Sequence, residues 1–160
     1  MIRPAGIDDT KVIQEMVREL AEHEDQLDTV ITDEDELREV LFGEGALSAA
    51  FVAVDDATGQ TVGYTLWCPV YSTWRGSVAQ VDDIYVRDEA KGQGHEKALL
   101  GRVAREAVAR GYHEMQWWGM TEHVENTAFY RGFGADFDGG LVIFRIDGEA
   151  LAALGAVGQR

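Results

Sequence analysis

The chain has one cysteine, Cys68, and two prolines in 160 residues. A single cysteine excludes a disulfide framework within the chain, and no histidine or acid stands near it in sequence to make it a nucleophile. It falls in the run VGYTLWCPV, which reads as a buried strand thiol. No apolar run is long enough to span a bilayer and no signal-like segment opens the sequence, which sets the expectation of a cytoplasmic protein without a membrane partner. No repeat or low-complexity tract interrupts it, so residues 1–160 are expected to form one domain with its own core.

Positive charge is scarce as well. Lysine occurs only at positions 11, 91 and 97, and the formal net charge is -15. Such a surface repels nucleic acid, which is not expected as a partner. Abundant carboxylates with little lysine fit a salt-rich cytoplasm, where they keep a protein hydrated. None of His23, His95, His113 and His123 has metal-ligand spacing with another candidate ligand, so no metal is expected.

Against that background, one stretch stands out. Residues 87–111 hold Arg87, Lys91, Lys97, Arg102, Arg105 and Arg110 against four acids. The basic island contains KGQGHEKALL, residues 91–100, in which two glycines precede an apolar helical pattern. A helix start presents unpaired backbone N–H groups and the positive end of a dipole, and glycine lets a ligand come close to the backbone. A dinucleotide fingerprint would need a third glycine where Lys97 stands, after alternating strands and helices.

The strands before it have another arrangement. MIRPA reads as a short strand, and Asp8 or Asp9 caps a helix that carries Val12, Ile13, Met16, Val17 and Leu20 at helical spacing. Thr32 precedes a second helix, with Leu37, Val40 and Leu41 turned inward. Then come AAFVAVD, TVGYTLWCPV and SVAQVDDIYV, three strands on short connections, which predict an antiparallel meander. The glycine-led helix buries Leu100, Val103, Ala104, Ala107 and Val108 and stops at Gly111. A strand HEMQWWGM, a short helix ENTAFYRGFG, a last strand GLVIFRID and a helical turn complete an α+β chain around a mixed sheet. In QVDDIYV, alternation sends Asp82 with Gln80 and Ile84 to one face and Asp83 with Val81 and Tyr85 to the other. Adjacent acids are poor strand formers, so at least one is expected to face water or a ligand.

The strand DDIYV, the loop RDEAKGQG, the helix after it and AFYRGFGA, in this order, resemble the GNAT superfamily of acetyl-CoA-dependent N-acetyltransferases. The similarity covers essentially the whole chain. Through YSTWRG, VDDIYV and RIDGEALAAL it is similar within that superfamily to the spermidine/spermine and thialysine acetyltransferases. The resemblance implies a GNAT fold, with a mixed, mostly antiparallel central sheet flanked by helices. It also implies acetyl-CoA as co-substrate, a primary amine on a polyamine- or lysine-like small molecule as acceptor, and a homodimer.

By the same resemblance the segment Lys91, Gly92, Gln93, Gly94, His95, Glu96 and Lys97 receives the CoA pyrophosphate, and the main chain of Ile84, Tyr85 and Val86 binds the pantetheine arm. A backbone N–H near Tyr85 then serves as oxyanion donor. His123 and Asn126 fall beside the cofactor, where the family commonly has asparagine and a small residue respectively. Glu96 also departs from the pattern, setting a carboxylate where a pyrophosphate is expected. Asp82 takes the place of the residue that accepts the amine's proton, and Tyr130 that of the acid that protonates the departing sulfur. Tyr71 and Trp74, with Glu24 in the acidic first third of the chain, are expected to hold a cationic amine, and packing of Trp74 at a dimer interface is the open alternative. Two other readings stay open: a CoA-sensing module of this fold without turnover, and transfer to a protein N-terminus or lysine.

Overall fold

A computed structural model of the chain describes residues 1–119, 124–132, 134–140, 143 and 145–156. These fall into two compact units, within residues 1–118 and 119–160.

The first unit is a five-stranded sheet in sequential order, β1 (Ile2–Pro4), β2 (Ala49–Val54), β3 (Thr61–Ser72), β4 (Gly76–Val86) and β5 (Glu114–Trp117). Every neighbouring pair is antiparallel except β4 and β5, which run parallel over Val78–Val81 and Glu114–Trp117. The meander is thus present as expected, and the single parallel pair requires the crossover supplied by α3 (His95–Ala109).

Two helices cover one face. On α1 (Thr10–His23), Ile13 and Met16 are buried, with Val12, Val17 and Leu20 at their flank. On α2 (Glu34–Phe42) Leu37 and Leu41 point inward, whereas Val40 is exposed. They pack on Ala50, Val52, Val54, Tyr64 and Tyr85. The α2 cap is Asp33, not Thr32: its carboxylate accepts from the Glu36 N–H at 2.9 Å and sits at the positive end of the helix. Asp9 stands at the α1 N-terminus without capping it. Its carboxylate is taken by the Arg3 guanidinium, at 2.6 and 2.8 Å, and by the Gly6 N–H at 2.7 Å.

Helix α3 lies on the opposite face. Leu99, Leu100, Val103 and Ala107 are buried, each leucine or valine contributing about 1.5–3 kcal/mol by its removal from water. Val108 is 75% exposed rather than buried, because the inward stripe centres on positions 99, 103 and 107. Two arginines finish this interface, Arg102 over the Phe51 ring and Arg110 over the Trp67 ring, at 5.1 and 5.0 Å.

The second unit holds α4 (Val124–Arg131) and α5 (Gly148–Gly155). Of the expected last strand, residues 141, 142 and 144 lie outside the described residues, and the others carry no strand.

Candidate functional site

Strand β4 departs from regular pairing where its two aspartates stand. Leu66 pairs with Asp83 but Trp67 pairs with Val81, which leaves Asp82 as one extra residue in a β-bulge. The bulge corrects simple alternation: Val81 faces α3 with Trp67, while Asp83 joins Tyr64 and Tyr85 on the α1 side. Asp82 is exposed. Asp83 is mostly buried, and Tyr64 donates its hydroxyl to the Asp83 carboxylate at 2.9 Å. Burial pushes the Asp83 carboxyl above its ordinary value, the Tyr64 hydroxyl opposes this, and the Asp82 charge adds to the rise. Asp82 also raises Tyr64 and the half-buried Cys68 thiol, in both cases after burial, so its charge is felt on the α1 side. A thiol pushed up in this way is a poor nucleophile at neutral pH.

Beyond the bulge one edge of β4 is open. β5 pairs no further than Val81, so among the described residues no strand is registered against Asp82–Val86 on that side. The Arg87 N–H donates to Val62 across the sheet at 2.9 Å. Counting back by two, the N–H groups of Tyr85 and Asp83 also point to β3, and those of Ile84 and Val86 point to the open edge. The open amides are thus those flanking Tyr85, not its own.

β4 leads through a short 3-10 turn, Asp88–Ala90, into the glycine loop. Gly92 and Gly94 have φ of 76° and 83°, the left-handed region, and nothing stands within 4 Å of where a β-carbon would be on either. No side chain caps α3, and its first helical bond is Ala98 N–H to the Gly94 carbonyl. The N–H groups of His95, Glu96 and Lys97 therefore lie in the uncapped first turn. Gly94 and this turn fit a phosphate group, through backbone donors and a path free of side chains. Three side chains bear on that fit. The Lys91 ammonium is held by Asp88 at 2.6 Å, Glu96 is half-buried in the first turn, and the His95 Nε2 is buried with no partner. Gln93 donates its amide back to the Glu89 carbonyl at 3.2 Å.

Between α1 and the end of β4 lies a cleft of about 550 Å³, lined by Glu19, Glu22, His23, Tyr85, Arg87, Asp88 and Glu89. Four of these are acids, and only Arg87 is held in a two-pronged pair, with Glu19 at 2.7 and 3.0 Å. Burial and the neighbouring Glu19 carboxylate push the Tyr85 hydroxyl up to about 12. The His23 ring nitrogen stands 3.5 Å from Asp88; its bond to the Glu19 carbonyl and then Asp88 raise its pKa. Composition could not reveal this cleft, since its acids come from residues 19–22 and 88–89.

The structure thus brings together Asp82, Ile84, Tyr85, Val86 and the 91–97 loop, all along β4 and the turn after it. Tyr71 and Trp74 are elsewhere in the same unit, 77% and 94% exposed at the β3–β4 hairpin tip. From Ser77, opposite Tyr71, to Tyr85 is eight strand residues, about 27 Å. Glu24 follows α1 as its C-cap, half-buried. Tyr130 and Asn126 lie on α4 in the second unit, where Tyr130 is half-buried with its ring edge against Phe129 at 5.3 Å. His123 lies outside the described residues. Among the described residues no cluster of His, Cys, Asp and Glu is arranged to hold a metal, and no helix is long and apolar enough to cross a membrane.

Comparison with known proteins gives a consistent picture. Residues 13–135 match the model of the acetyltransferase (GNAT) family. The chain is 34% identical over 163 residues to the thialysine N-epsilon-acetyltransferase of Bos taurus, with 96% of each covered. It is 29% identical over 159 residues to the human spermidine/spermine N(1)-acetyltransferase-like protein 1, covering 94% of this chain and 23% of that one. Among solved structures, an aminoglycoside acetyltransferase from an uncultured soil metagenomic sample superposes with a TM-score of 0.74 at 18% identity, over 92% of this chain and 95% of the other.

Proposed function

The chain belongs to the acetyltransferase (GNAT) family, and from that premise we propose that it acetylates the primary amine of a polyamine- or lysine-like small molecule. The acetyl donor is acetyl-CoA, which supplies an activated thioester carbonyl. The open edge beyond the Asp82 bulge carries this reading. It sets an exposed carboxylate, two amides with no strand registered against them among the described residues, and a phosphate-ready helix start along one stretch of chain.

In this reading the amides of His95, Glu96 and Lys97 hold the pyrophosphate, with Gln93, Lys91 and, in the second unit, His123 and Asn126 as further cofactor contacts. The main chain of Ile84, Tyr85 and Val86 holds the pantetheine arm. An amine with an ordinary pKa near 10.4 arrives as a cation, and the acidic cleft at Glu19, Glu22, Asp88 and Glu89 gathers it. Asp82 takes the proton, through a water because its side chain is short, and Tyr130 returns one to the leaving sulfur. Glu24, at the C-terminal end of α1, adds a carboxylate that binds the amine. The exposed Tyr71 and Trp74 stack on the acceptor, or Trp74 instead buries against a second copy in a homodimer.

The proposal extends to the whole protein as one domain over residues 1–160. Cytoplasmic residence agrees with one cysteine and no disulfide, and a salt-rich interior agrees with the acid excess. The half-buried Glu96 and the Asp88-bound Lys91 favour a second reading, a CoA-binding sensor without turnover. A thiol-release assay over diamines, thialysine and lysine separates the two. The enzyme reading expects turnover with at least one amine, and losses of about 100-fold or more in kcat for Asp82→Asn and Tyr130→Phe. Acetyl-CoA binding with no turnover for any amine would leave the sensor standing.

A further inference from the structure

Asp82 sits between two carbonyls that side chains hold. On one side Gln80, only 7% exposed, donates its amide to the Val81 carbonyl at 2.9 Å. Its own oxygen accepts from the Gln116 amide on β5 at 2.6 Å, and Gln80 and Gln116 are register partners in the parallel pair. On the other side the buried Thr65 hydroxyl donates to the Asp83 carbonyl at 2.9 Å. Val81 is also the last β4 residue paired with β5, so the chain of amides ends where the two strands part.

Buried side-chain amides in a sheet are costly unless bonded, and a side chain that bonds backbone competes with the ladder. Here the competition falls on the residues before and after the bulge. An apolar pair at positions 80 and 116 would leave the Val81 carbonyl to the ladder, and the extra residue would have nothing to hold it at position 82.

We propose that Gln80, anchored by Gln116, and Thr65 are positioning residues: together they pin the Val81–Asp82 and Asp83–Ile84 peptides on either side of the bulge, keep the bulge at Asp82, and end the β4–β5 pairing so that the Ile84 and Val86 amides stay open. The inference rests on the acetyltransfer reading and adds the parts that aim its proton acceptor.

The test uses three near-isosteric variants of the full chain, Gln80→Leu, Gln116→Leu and Thr65→Val, with steady-state kinetics from pH 6 to 10. Misplacing a reacting group by about 1 Å costs on the order of 100-fold. Gln80→Leu is therefore expected to lower kcat by about 10- to 100-fold, and Thr65→Val and Gln116→Leu by less, with the KM for the amine within about twofold. The pH profile of kcat should change in Gln80→Leu, and Gln80→Glu, which keeps the shape but loses the donor, should behave like it. Gln116 is exposed, so Gln116→Leu folds even if a buried variant does not. Unchanged kcat and pH profile in these variants, with a wild type that turns over, would overturn this inference alone. So would a loss of activity that only follows the folded fraction. A wild type that acetylates no amine would remove the proposed function and this inference with it.

Discussion

Asp82 and Asp83 are neighbours with opposite environments, and the difference is set by one unpaired residue. Alternation along QVDDIYV correctly parts the two, yet it groups Asp83 with Val81, which the bulge reverses. No local pattern could show this, because the bulge depends on which residues of β3 stand opposite. The environments predict distinct pH behaviour. The Asp83 carboxyl is raised by burial, so its contribution to stability is complete below the ordinary carboxylate range and is lost as pH rises through the raised value. Asn at this position keeps an acceptor for Tyr64 and never charges. Asp83→Asn is therefore expected to melt a few degrees higher than the wild type at pH 7, with the gap closing as pH falls toward 4. Melting curves across that range check it; a variant that melts lower at every pH would show that the charge itself is needed by Tyr64.

At the scale of elements, the strands and helices were legible, because each carries its own period. The strands β1 to β4 and α1 to α3 stand where spacing puts them, with Val40 and Val108 turned out where the stripe is narrower than the count of apolar residues suggests. What was not legible is how elements meet. Tyr71 and Trp74 share a sheet with Tyr85 but lie at the other end of β4, while Glu19 and Asp88, far apart in sequence, line one cleft. The glycine loop was readable because its demand is local. Both glycines adopt positive φ with open space around them, so alanine there meets no steric clash and its cost is conformational, about 1–2 kcal/mol. Beyond stability, a methyl at Gly94 stands on the path to the first-turn amides. Gly94→Ala is expected to raise the KM for acetyl-CoA about tenfold or more while the KM for the amine stays put. Equal changes in both would mean that the loop does not hold the diphosphate.

For the whole molecule the dominant quantity is a net charge of -15 in 160 residues. Most carboxylates are on the surface, and their mutual repulsion acts over a screening length of about 30 Å at 0.01 M salt but only about 3 Å at 1 M. The local ion pairs are mostly exposed, as with Arg38 and Glu34 or Lys91 and Asp88, and contribute little each, so their loss to screening is small beside the relief of repulsion. Raising KCl from dilute buffer to molar strength is thus expected to raise the melting temperature, steeply at first and then more slowly as the screening length falls below the spacing of charges. Acetyl-CoA binding should respond less. Screening weakens Lys91 and Lys97 but also the opposing Glu96, and backbone amides carry no net charge to screen. Thermal melts and acetyl-CoA titrations over the same KCl series measure both, and a chain most stable in dilute buffer would show that its acids are paired or dispersed well enough to need no salt.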